Sequence, residues 1–155
     1  MIRPFVPLAE KLGEVFGALA GRLPGRLDVE FRGEIGDVDD RNAITLRSDE
    51  HAVAGTLVGP RAEHRIVMID GHCIDVPPAD HMLVVRNADV PGMIGLVGTV
   101  PGDARVNVDD MAVGHHRGAD TVVMVLATDG PVPPDVLDDL RSRDGILRVH
   151  ALDLH

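Results

Sequence analysis

The chain has 155 residues, a formal charge of −10, 45% hydrophobic residues and only 2% aromatic ones, with no Trp or Tyr. Such a chain is globular and fits one ordinary domain or two small ones, with a core of Val, Leu, Ile, Met and Ala. The charge argues against nucleic acid and acidic membranes as partners, and the longest apolar run, Val122 to Ala127, is far below the roughly 18 residues of a membrane span.

Leu8, Leu12, Val15, Phe16 and Leu19 recur at helical spacing, with Pro7 placed to open the helix and Gly21 to close it. After a Pro24-Gly25 turn, Leu27, Val29 and Phe31 alternate with charged residues, the period of a half-buried strand. Asp37 to Asn42 reads as a polar connection. Ile44 to Arg47 and Ala52 to Val58 read as strands joined by Ser48-Asp49-Glu50, and Ile66 to Ile69 and His72 to Val76 flank Asp70-Gly71, a strong hairpin signal because both residues tolerate positive φ.

Pro77-Pro78 interrupts any ladder and marks the expected boundary between domains 1–78 and 79–155. Beyond it, Met82 to Arg86 predicts a strand, Pro91 to Val100 a helix, Arg105 to Val113 and Thr121 to Ala127 two strands joined through His115 to Ala119. Pro133-Pro134-Asp135 opens a second helix with Val136, Leu137 and Leu140 inward, Arg141 and Arg143 in its last turn and Gly145 after it. Leu147 to Leu152 is the last strand. The order is βαββαβ, a ferredoxin-like domain, so the chain is expected to be α+β, with a small helix-plus-antiparallel-sheet domain in front.

No dinucleotide fingerprint, nucleophile elbow, zincin motif, P-loop or C-x-x-C occurs, so no catalytic residue and no cofactor is assigned. Gly92, Gly95 and Gly98 recur every third residue instead, a spacing that suits close packing of a helix on a sheet. Of the eight histidines, His115-His116 is the densest pair, but neighbours on a strand diverge; a solvated hairpin tip is the better reading and no metal site is assigned. Asp109-Asp110 and Asp138-Asp139 diverge likewise. The lone Cys73 cannot close an internal disulfide and reads as a half-buried strand residue. Met1-Ile2-Arg3-Pro4 opens no apolar signal region, so a cytoplasmic protein is expected.

The segment Asn87 to Gly92 leaves a strand and enters a helix N-terminus, where unpaired N–H groups attract a carboxylate. Asp89 could take an ammonium group or cap the helix, and Asn87 and Asn107 can each donate and accept hydrogen bonds. Such groups suit a zwitterionic amino acid.

With Asn87, Asp89, Pro91-Gly92 and Asn107 in this spacing, Asp80 to Leu154 resembles the ACT family of amino-acid-sensing domains, in the form carried by phosphoglycerate dehydrogenases. Arg3 to Gly13 resembles the connection leaving the catalytic part of those enzymes. Glu30 to Glu34, Ala54-Gly55-Thr56 and Ile66 to Gly71 resemble their intervening, allosteric substrate-binding domain, which is normally longer between Glu34 and Asn42. Pro101 stands where the family usually has Leu, and Asn87 where His or an aromatic is usual.

The resemblance implies a regulatory module that binds L-serine or another small amino acid at Asn87, Asp89, Pro91, Gly92 and Asn107. It also implies a homodimer through the ACT domains, a partnership with dehydrogenase catalytic domains, and feedback control of serine biosynthesis without turnover by this chain alone. An oligomerisation module with a decayed ligand site and the regulatory part of an iron–sulfur L-serine dehydratase are the alternatives.

Overall fold

A computed structural model describes residues 5–20, 28–32, 43–116 and 118–154. The expected features at Arg3, Pro4, Gly21, Pro24-Gly25, Leu27, Gly33-Glu34 and Asp37 to Asn42 lie outside these residues. By its contacts the chain divides into two compact units, Met1–Pro78 and Ala79–His155.

In the first unit the apolar spacing yields α1 (Phe5–Ala20), with Pro7 in the first turn, where a missing N–H leaves no hydrogen bond unmade. Leu8, Leu12, Val15, Phe16 and Leu19 are all buried. Five strands follow as an antiparallel meander: β1 (Asp28–Arg32), β2 (Ala43–Arg47), β3 (Ala52–Val58), β4 (Glu63–Ile69) and β5 (His72–Val76). Asp70 and Gly71 both have positive φ, 49° and 82°, as a tight hairpin requires.

The helix α1 lies across β2 and β3. It comes so close at Gly55 that a Cβ there would sit 2.9 Å from Leu12 Cδ2 and 3.1 Å from the Arg65 carbonyl oxygen. The turn between β2 and β3 is tied by a group that the spacing alone does not reveal. His51 is buried, its Nδ1 lies 3.1 Å from Asp70 Oδ2, and Asp70 Oδ1 accepts the Ala52 N–H at 2.9 Å. Cys73 is exposed rather than half-buried, because β5 turns His72, Ile74 and Val76 inward and the alternate residues outward.

The second unit runs β6 (His81–Ala88), α2 (Met93–Asp103), β7 (Val108–His115), β8 (Thr121–Thr128), α3 (Pro134–Arg141) and β9 (Ile146–Asp153). Its strands lie in the order β7-β8-β6-β9, all neighbours antiparallel, which is the ferredoxin-like arrangement. Leu83, Val85, Met124, Leu126, Val149 and the α3 residue Leu140 belong to one buried aliphatic cluster. At the end of α3, Arg143 Nε donates to Asp139 Oδ1 at 3.0 Å, and this contact raises the guanidinium pKa further.

Two expectations about α2 need correction. The helix begins at Met93 rather than Pro91, because Gly92 takes a left-handed φ of 90° and makes the Pro-Gly pair a turn. It also runs on to Asp103, with Pro101 buried inside its last turn.

The glycine spacing, moreover, does not pack α2 on the sheet. Val97 and Val100 face inward, while a Cβ at Gly95 or Gly98 would meet nothing within 4 Å. Gly95→Ala and Gly98→Ala should therefore each stabilise the protein by about 0.5 to 1 kcal/mol, the usual advantage of alanine over glycine in a helix interior. Urea unfolding measures this, and a loss of stability in either variant would mean that this helix face is packed after all.

Candidate amino-acid-binding site

The segment between β6 and α2 is shaped by its own backbone. The Ala88 carbonyl accepts two hydrogen bonds, from the Val90 N–H and from Asn87 Nδ2, each at 2.9 Å. Ala88 N–H donates to the Gly145 carbonyl at 2.7 Å, and Asp89 N–H to the Asp120 carbonyl at 2.9 Å, which fastens the segment to the starts of β9 and β8. Gly92 then turns the chain into α2 with no side chain capping the helix, so Asp89 is not its cap.

Asn87 is completely buried. Because the Ala88 carbonyl can only accept, the amide NH2 of Asn87 faces it, and Oδ1 is left without a hydrogen-bond partner. An unmade hydrogen bond on a buried acceptor is unfavourable by about 1 to 3 kcal/mol, so such an atom calls for a donor.

Asn87, Asp89, Pro91 and Gly92 all line one cavity of about 220 Å³. Its remaining wall comes from Val90 of the same segment, Val113 and His115 of β7, Val122 and Met124 of β8, and Met93 and Ile94 of α2. The size is below the usual range for drug-sized ligands and suits a smaller molecule. The open N-terminus of α2 supplies amide donors for a carboxylate, and Asp89 and the unpaired Asn87 oxygen supply acceptors for an ammonium group.

Asn107 is not brought into this cavity. It precedes β7, where its Nδ2 donates to Asp109 Oδ1 at 2.9 Å and its N–H to Asp129 Oδ1 at 3.1 Å. The length of β7, about 25 Å at a strand's rise per residue, separates it from His115 at the cavity. The wall residues Val113, His115, Val122 and Met124 escape a reading of the sequence, because only the pairing of Val122 with both Asn87 and His115 carries them there.

A second, wider groove in the first unit, about 480 Å³, is bordered by Lys11, Glu63, His64, Arg65, Pro77 and Pro78. Its cations are already paired, Lys11 with Glu14 at 3.0 Å and Arg65 with Asp75 at 2.7 Å. Among the described residues no group of three or more His, Cys, Asp or Glu is placed to hold a metal ion, and no helix is long and apolar enough to cross a membrane.

The chain is similar to proteins named D-3-phosphoglycerate dehydrogenase. That of Archaeoglobus fulgidus is 34% identical over 113 residues, covering 72% of this chain and 21% of the relative. That of Synechocystis sp. is 24% identical over 205 residues, covering 99% of this chain and 37% of the relative, and that of Bacillus subtilis is 32% identical over 95 residues, covering 61% and 18%. This chain thus spans well under half the length of these relatives. The Synechocystis alignment runs over 205 positions against a chain of 155, so that relative carries residues with no counterpart here. The family model for the ACT domain matches residues 81–145, the stretch that holds β6, α2 and the cavity. Over those residues the chain belongs to the ACT domain family.

Proposed function

We propose that this chain is a regulatory module that binds an α-amino acid in the cavity at the start of α2, with L-serine as the effector its dehydrogenase relatives suggest. The observation that carries the reading is the buried Asn87 with its unpaired Oδ1 beside an uncapped helix N-terminus. A zwitterion answers both, with its ammonium group on Asn87 and Asp89 and its carboxylate on the helix amides. Two copies paired through their ACT domains would complete the site. Asn107 lies too far from the cavity of its own chain, so in this reading a second copy supplies it.

Regulation follows from differential binding. An effector that binds one arrangement of the paired domains more tightly shifts the population towards it, and dehydrogenase catalytic domains attached to or associated with this chain would feel that shift. Feedback control of serine biosynthesis is the biology this implies, in a cytoplasmic setting. The chain itself is expected to turn over no substrate.

Isothermal calorimetry with L-serine and the other amino acids tests the reading. Asp89→Ala should weaken binding about five- to 150-fold, the worth of one lost hydrogen bond to a charged or buried group, whereas Asp138→Ala on the exposed side of α3 should change nothing. Asn107→Ala should weaken binding only at concentrations where light scattering reports a dimer. Equal affinities in all variants would move the ligand elsewhere, and no binding of any amino acid would leave an oligomerisation module with a decayed site.

A further inference from the structure

Two arginines oppose each other across neighbouring strands, and nothing balances their charge. Arg86 of β6 lies directly opposite Arg148 of β9. Their chain neighbours Val85 and Val149 belong to the aliphatic cluster that includes α2 and α3 residues, so the alternation of a strand turns both arginines to the other face of the sheet. Directly opposed residues of an antiparallel pair have Cβ atoms about 4.5 to 5.5 Å apart, and like charges placed so are destabilising. The chain holds 25 Asp and Glu against 15 Lys and Arg, yet among the described residues neither arginine has an ion pair or a side-chain hydrogen bond. Arg86 Nε is buried without a partner while Arg148 is exposed, so the pair has an inner donor and an open side. Val123 of β8, which flanks Arg86 opposite Arg148, is buried and makes the inner end apolar.

We infer that Arg86 and Arg148 form an anion site that takes a phosphate group, free or as the monoester of a small molecule. The site lies on the face of the sheet opposite the α2 cavity and does not depend on the amino-acid-binding reading. A guanidinium is a planar fork that holds an oxyanion through parallel N–H···O bonds. One fork satisfies a carboxylate, which carries a single charge. A phosphate group carries about two negative charges near neutral pH and further acceptor oxygens, so it can engage both forks and cancel the repulsion between them. The unpartnered Nε adds a donor away from water, where a charge-assisted hydrogen bond counts most.

Calorimetry on the full chain at constant ionic strength, with inorganic phosphate, methyl phosphate and acetate, tests the site. At least one of the two phosphates should bind about tenfold or more tightly than acetate, and the tighter of them identifies the free ion or the ester as the source. Arg148→Gln should weaken that binding at least about tenfold, whereas Arg61→Gln, at an exposed arginine elsewhere, should leave it unchanged. Because the repulsion goes with the charge, Arg148→Gln should also raise the urea midpoint of the phosphate-free protein and remove the further rise that phosphate gives the original chain. Arg86→Gln should repeat the loss of binding, and the exposed Arg148 keeps the test decisive if that variant fails to fold. Phosphate affinity unchanged in Arg148→Gln would overturn the inference, as would acetate binding as tightly as phosphate, or no binding of either phosphate at about 10 mM.

Discussion

Asn87→Ala should lower affinity for the tightest-binding amino acid by about five- to 150-fold while leaving the free protein within about 1 kcal/mol of its original stability. The two effects separate because of what Asn87 does in the absence of ligand. Its Nδ2 bond to the Ala88 carbonyl at 2.9 Å is partly redundant, since that carbonyl also accepts the Val90 N–H. Its Oδ1 contributes an unmade hydrogen bond, so removing the side chain deletes a destabilising atom along with a stabilising contact. Only with ligand present does that oxygen acquire a partner, and only then does its loss count in full. Calorimetry and urea unfolding on the same preparation measure the pair of quantities. A variant destabilised by more than about 2 kcal/mol with unchanged affinity would make Asn87 a residue of the fold and not of the site.

The elements were legible in the sequence wherever local chemistry decides them. Asp70-Gly71 gave a hairpin because two successive positive φ values are tolerable there, and the apolar spacing from Leu8 to Leu19 gave α1 because its buried stripe is continuous. Where a face or a long-range pairing decides, local reading fell short. The spacing of Gly92, Gly95 and Gly98 is real, but spacing alone does not say whether the stripe faces the sheet or solvent, and Val97 and Val100 take the sheet side.

The candidate site divides in the same way. Asn87, Asp89, Pro91 and Gly92 are consecutive enough for the sequence to gather them, and they share one cavity. Asn107 lies between α2 and β7, just before a strand that runs towards the cavity, so it sits at the opposite end from His115. Val122 and Met124 reach the cavity only through pairing with β6, a partner more than thirty residues earlier, and no local pattern marks them as lining anything.

The largest effect on stability is expected from Leu126→Ala. Leu126 is fully buried in β8, lies opposite Leu83 on β6 and Met111 on β7, and belongs to a cluster with no aromatic residue in it. An aliphatic core has no large ring to slide into a vacated space, and branched Val side chains are stiff about χ1, so the cavity left by the substitution should stay largely open. The expected loss is about 2 to 5 kcal/mol, a large part of the 5 to 15 kcal/mol by which domains are usually stable. Leu147→Ala provides the control. Leu147 removes the same atoms from β9, but it is 54% exposed, so its loss should stay within about 0.5 kcal/mol. Urea midpoints at constant slope compare the two directly. Similar small shifts in both would mean that the core relaxes around Leu126, and that this aromatic-free cluster is held by its backbone ladder more than by the fit of its side chains.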